Sequence, residues 1–187
     1  QGELQPAQVY VATLGNSEMS EAIAEEEGIE LSSLCGKREC FLFQVLKNGS
    51  LLIAGSDKRG TIYGLFHISE LMGVSPFVHF ADVVPAPQKE IIFSEKDSMQ
   101  SKEPSVKYRG FFINDEWPAF GNWAKTHFGS MNAACYAPVF ELLLRMKGNY
   151  LWPAMWNSNF SLDGPGLENA VLADELGVVM STSHHEP

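Results

Sequence analysis

Apolar positions change their rhythm about halfway along the chain, and the change separates two segments. In the first, residues 1–100, short β-rich runs alternate with helical ones. Val9 to Leu14 (VYVATL) has strand character, and SEMSEAIAEEEG reads as a short acidic helix stopped by Gly28. CFLFQVLKNGSLLIAGS is two β-rich runs flanking Lys47-Asn48-Gly49-Ser50, and Asn-Gly is the strongest short hairpin signal. From Asp57 to Met72 the apolar residues Ile62, Leu65, Phe66, Ile68, Leu71 and Met72 recur at helical spacing, and Gly73 closes the run. PFVHFADVVPAPQKEIIFSE then reads as extended chain broken by prolines, and the polar SEKDSMQSKEPS as a linker.

The second segment, residues 101–187, alternates strand and helix. YRGFFI (Tyr108 to Ile113) is a strand, a helical pattern runs from about Asn132 to Lys147 with Gly148 as its stop, and NYLWPAMW is the next strand. A further helix is expected from about Gly166 to Leu176, and Gly177 to Met180 forms a third strand. Strand, helix, strand, helix, strand is the signature of parallel βαβ units, whose sites gather where the strands end. All three expected strands carry their polar and aromatic residues at that end: NDEW, then WNSN, then HHE. The predicted class is therefore α/β. A small N-terminal α/β domain leads into the first strands and helices of a (β/α)8 barrel, incomplete in this chain. A closed barrel takes roughly 250 residues, so the chain reads as the front of a longer polypeptide, inactive by itself.

Composition narrows the function classes. Apolar residues make up 45% of the chain, with twelve Phe, five Tyr and four Trp, so a packed core is expected. Thirteen basic against twenty-three acidic residues give a net charge of −10 with no basic patch, which argues against nucleic acid as a partner. No apolar run approaches the length of a membrane span. The chain begins at Gln1 with no signal peptide in view, and the expectation is a secreted or periplasmic protein whose leader is not in the sequence. Of the three cysteines, Cys40 and Cys135 read as small core residues. A Cys35–Cys40 bridge is conceivable, but no CxxC pattern supports a framework.

Four stretches carry a resemblance: GSDKRGTIYGLFHISELMGVSPF, RGFFINDEWPAFGNW, VFELLLRMKGNYLWPAMW and ADELGVVMSTSHHEP. Together they resemble the α-glucuronidases of glycoside hydrolase family 115. That resemblance implies an N-terminal α/β domain, a catalytic (β/α)8 barrel and later domains through which a homodimer could form. It implies removal of glucuronic acid or its 4-O-methyl ether from xylan, with inversion and without metal or other cofactor. Glucuronoxylan or its oligosaccharides would be the partner. The run PFVHFADVVP departs from the more Trp- and Tyr-rich family pattern at that point.

Each candidate residue has a structural reading beside the functional one. Inverting glycosidases need two carboxyl groups roughly 6.5–9.5 Å apart. Asp115 and Glu116 are adjacent, so their side chains diverge and one of them faces the axis; the resemblance favours Asp115 as catalytic and leaves Glu116 to orient a neighbour. The alternative is a pair of solvated loop carboxylates. His184, His185 and Glu186 could ligate metal, yet neither HExxH nor an HxH spacing is present. His184 is expected at the substrate, with a hydrogen-bonded structural pair as the alternative. Trp152 reads equally as a core filler or a site residue, whereas Trp156 beside Asn157 sits where a sugar ring could stack, and the Asn114 amide could donate to a hydroxyl. Lys58 and Arg59 could meet the substrate carboxylate or simply open a helix. GSDKRG is not a phosphate loop, since it lacks GxxxxGK[ST]. Two rivals stand beside the hydrolase: a non-catalytic carbohydrate-binding protein, and a metal-dependent barrel hydrolase.

Overall fold

A computed structural model describes residues 8–16, 18–114, 117–153 and 158–182. They fall into two compact units. One holds the described chain up to Ser75 together with Val84–Ser105; the other holds Pro76–Val83 together with the described chain from Val106 onward.

The first unit is built around the hairpin that Asn48-Gly49 closes. β2 (Phe41–Val45) and β3 (Leu51–Gly55) pair antiparallel with Val45 opposite Leu51. Gly49 takes φ 83°, a conformation that favours glycine, and the turn is tied by Leu46 N–H to Ser50 O at 2.8 Å. β1 (Val9–Thr13) joins β3 in parallel and β4 (Met99–Gln100) joins β2 antiparallel, giving the order β1-β3-β2-β4. The central β3 is buried along its whole length, with Leu52, Ile53 and Ala54 fully inaccessible. That burial explains its unbroken apolar run. Helices α1 (Glu18–Glu27) and α2 (Lys58–Leu71) complete the unit.

Asp57 is the N-cap of α2. One carboxylate oxygen accepts from Gly60 N–H at 2.8 Å, and the other accepts from Glu39 N–H at 2.8 Å. One side chain thus satisfies a helix end and fixes the chain entering β2. Asp57→Ala is expected to cost about 1–2 kcal/mol, the upper part of the usual cap range, because Glu39 N–H also loses its acceptor. Amide exchange along the first turn of α2 checks this, and unchanged protection would refute it. Asp57→Asn should keep most of the cap.

Two sequence readings are corrected here. Residues 98–101 are not a linker but the edge of the sheet. Ser98 and Ser101 hydroxyls accept from Val45 and Phe41 N–H at 3.0 and 2.8 Å, and Ser101 N–H donates to Phe41 O at 2.9 Å. Pairing through backbone and hydroxyls needs no apolar alternation, so the pattern could not reveal it. The stretch after Ser75 is not extended at its start either: Phe80 and Ala81 N–H both turn back to Phe77 O, at 2.9 and 3.0 Å. The conceivable Cys35–Cys40 bridge does not form; all three thiols are free, Cys35 exposed and the other two buried. Burial raises the Cys40 thiol and pushes Cys135 up to about 12, so both stay protonated core residues.

In the second unit β5 (Gly110–Phe112), β6 (Tyr150–Trp152) and β7 (Val179–Met180) are parallel and lie in sequence order. α4 (Ala133–Arg145) matches the expected helix. Asn132 caps it by accepting from Cys135 N–H at 3.1 Å, and Tyr136, Val139, Phe140, Leu143 and Leu144 are buried. α5 (Glu168–Leu176) is also as expected. α3 (Phe120–Phe128) was not foreseen, although Phe120, Trp123, Ala124, His127 and Phe128 stand at helical spacing. Its rings pack on one another, Trp123 lying 5.1 and 5.2 Å from Phe120 and Phe128. Segment 76–83 joins this unit through Phe80, 5.7 Å from Trp123, and His79, 3.1 Å from Glu141. Burial alone would raise the Glu141 carboxyl. The hydrogen bonds from Arg145 and His79 outweigh that and hold it below the ordinary glutamate range.

Candidate active site at one edge of the parallel sheet

The three strand ends meet because the register brings them level. Gly110 pairs with Tyr150 and Tyr150 with Val179, so β5, β6 and β7 start together. Buried Asn149 fixes that start. Its Oδ1 accepts from Arg109 N–H at 2.9 Å, its Nδ2 donates to Lys107 O at 2.7 Å, and its carbonyl accepts from Val179 N–H at 2.8 Å. The ladder continues at the far end, where Ile113 N–H reaches Trp152 O at 2.9 Å and Ser181 N–H reaches Leu151 O at 3.0 Å. Asn114, Pro153 and Thr182 therefore leave the sheet at one edge.

The sequence runs on from those three ends into Asp115 and Glu116, into Trp156 and Asn157, and into His184, His185 and Glu186. All seven lie outside the described residues. Asn114 is described: it is exposed and borders a cavity of about 230 Å³ with Phe80, Phe112 and Phe120. At the ends of β6 and β7 a second cavity of about 360 Å³ is lined by Pro153, Asp174, Ser181 and Thr182 among others. Trp152, for which a core filler was one of two readings, is 39% exposed and packs edge-on against Phe112 at 5.5 Å. Of the two readings the exposure disfavours the core, for alternation along β6 buries Leu151 and turns its neighbour outward.

Residues 101–187 match the family model described as glycosyl hydrolase family 115. Among solved structures, a family 115 4-O-methyl-α-glucuronidase with specificity for decorated arabinogalactans is 35% identical. It aligns with a TM-score of 0.81 over 94% of this chain. Residues 101–187 belong to glycosyl hydrolase family 115. The chain spans 23% of that solved glucuronidase. No curated protein sequence matches it.

Lys58 and Arg59 belong to the first unit and Asn114 to the second. Lys58 is exposed in the first turn of α2, while the Arg59 guanidinium is 2.5 Å from the carboxylate of Glu39, itself almost wholly buried. That pairing gives Arg59 a structural duty within its own unit. Among the described residues no three His, Cys, Asp or Glu side chains gather as a metal group, and no helix is long and apolar enough to cross a membrane.

The sequence reading passed over Trp117, Lys125, Ser130, Ser158 and Asp163, which line one depression of about 160 Å³. The signals were Trp117 in NDEW and Ser158 in WNSN; the others come from α3 and two loops, and only the fold assembles them.

Proposed function

We propose that the polypeptide carrying this chain is a glycoside hydrolase that removes glucuronic acid, or its 4-O-methyl ether, from the side chains of a plant polysaccharide. The observation that carries this reading is the common edge of β5, β6 and β7, where a family 115 sequence leads into Asp115, Trp156 and His184. Parallel α/β architectures place their chemistry at that edge. Phe112 and Trp152 leave an aromatic face half open, which further strands of a (β/α)8 barrel would cover.

The proposed mechanism is inversion. One carboxylic acid protonates the glycosidic oxygen while a carboxylate on the opposite face of the sugar activates water. Asp115 is the carboxyl this chain supplies, and Glu116 orients a neighbour. Its partner carboxyl lies on another strand. Trp156 stacks on the uronate ring, and Asn114, Asn157, His185 and Glu186 bind its hydroxyls. His184 meets the substrate carboxylate, which favours the imidazolium form. Binding therefore weakens as pH rises through the histidine's pKa. The backbone polysaccharide is glucuronoxylan on the sequence reading, whereas the solved relative acts on decorated arabinogalactans.

Release of free uronic acid from both polymers, by the polypeptide containing residues 1–187, tests the function and the choice of polymer together. Release from neither, with the polymer still bound, would replace the hydrolase with a carbohydrate-binding protein. His184→Ala is expected to reduce turnover at least tenfold, while chelator leaves the parent activity intact. Activity lost to chelator and restored by zinc would establish a metal-dependent hydrolase instead.

A further inference from the structure

The depression beside α3 is chemically unlike the two cavities described above. Trp117 contributes an aromatic face that is 47% exposed, and Lys125 holds its ammonium 5.8 Å from the centre of that ring. Asp163, on the loop that follows β6, also lines the depression. Its Oδ2 accepts from Asn159 N–H at 2.8 Å, and its carbonyl accepts from Ser130 Oγ at 3.1 Å, so the carboxylate is held in place. Ser130 and Ser158 add hydroxyls to the lining.

An aromatic plate, a cation, an oriented carboxylate and two hydroxyls form a set of donors and acceptors around an apolar surface. A pyranose offers the matching set: a ring of C–H groups on its face and hydroxyls around its rim. At about 160 Å³ the depression is of a size to take one sugar ring. The sign of the charge decides which sugar. Lys125 and Asp163 cancel, so an added carboxylate gains from one and is repelled by the other, whereas neutral hydroxyls use both. The loops that build the depression follow β5 and β6, the same strand ends that carry the candidate active site.

We propose that the Trp117–Lys125–Asp163 depression is a subsite for one neutral pyranose of the polysaccharide, built from residues other than those proposed to bind the uronate. The proposal rests on the reading above only for the class of ligand, a sugar.

The test uses proton–nitrogen spectra of the chain, with the Trp117 indole N–H identified by its loss in Trp117→Phe. D-xylose and D-galactose are titrated as neutral probes and D-glucuronate as the acidic one. The expected result is a saturable shift of the Trp117 signal with a neutral sugar, and weaker binding of glucuronate. Trp117→Ala and Lys125→Met should each weaken neutral-sugar binding about tenfold, and Trp117→Phe should retain most of it. Trp117 and Lys125 are both exposed, so their variants can be checked for an otherwise unchanged spectrum. No saturable shift, or tighter binding of glucuronate than of both neutral sugars, would overturn the proposal. Failure of the functional reading looks different: sugar binds at Trp117 while the polypeptide releases no uronic acid.

Discussion

Gly110→Ala is expected to unfold the second unit or to destabilise it by about 3 kcal/mol or more, the top of the usual range for overpacking. A Cβ built at Gly110 would lie 1.5 Å from the carbonyl oxygen of Tyr150, and the next nearest atoms are Tyr150 backbone as well. No side chain is there to swing aside. β5 must move off β6, and with it go the pairings of Phe111 with Leu151 and Phe112 with Trp152. Against a typical domain stability of 5–15 kcal/mol this is a large fraction. The described tryptophans, Trp117, Trp123 and Trp152, belong to the second unit and none precedes Trp117 in the sequence, so tryptophan fluorescence in a urea titration reports that unit and not the first. Gly166→Ala provides the comparison. Its φ is 56° and nothing lies within 4 Å of the added carbon, so it should cost only about 1–2 kcal/mol of backbone strain. Equal shifts in the two variants would show that the β5–β6 approach tolerates a methyl group.

The second large effect is chemical. Asp115→Asn in the polypeptide that releases uronic acid is expected to lower kcat by about 10²–10⁴-fold, the usual worth of a positioned acid or base. The amide keeps the shape of the carboxylate and removes both its charge and its proton, so binding should change far less than turnover. Glu116→Gln should cost less, because neighbouring side chains at a strand end point to different sides and one of them faces the barrel axis. Initial rates on a glucuronidated oligosaccharide, with kcat and KM separated, check this. Small and equal losses from both substitutions would return the pair to solvated loop carboxylates.

Local pattern was enough for most of the elements. Asn48-Gly49 between two β-rich runs specified the first hairpin, since its turn needs the positive φ that Gly49 adopts. Helical spacing foretold α2 and α4 and a glycine stop marked α5; in α4 the spaced apolar residues are the buried ones, whereas in α2 burial falls on Gly60, Tyr63 and Gly64 and leaves Leu65 and Leu71 exposed. The strand–helix alternation after residue 105 foretold three parallel strands in sequence order; Asp115 and Glu116 of NDEW, Trp156 and Asn157 of WNSN, and all of HHE, which it set at the ends of those strands, lie outside the described residues. Family membership was legible in the same stretches.

What escaped the pattern were the features that chain neighbours do not determine. β4 pairs through Ser98 and Ser101 hydroxyls at a polar sheet edge, and such an edge carries no apolar rhythm. Segment 76–83 packs with residues far along the chain, through Phe80 and His79. Asn149 reads as an ordinary loop amide until the fold surrounds it with three strands whose backbone groups it must satisfy. Arg59 reads in the sequence as a substrate contact or a helix opening, and only the fold brings the buried Glu39 carboxylate to it. Periodicity records which face of an element is buried, because that depends on spacing along one strand or helix. Partner identity depends on which distant residues converge, and for Trp117, Lys125 and Asp163 only tertiary packing decided it.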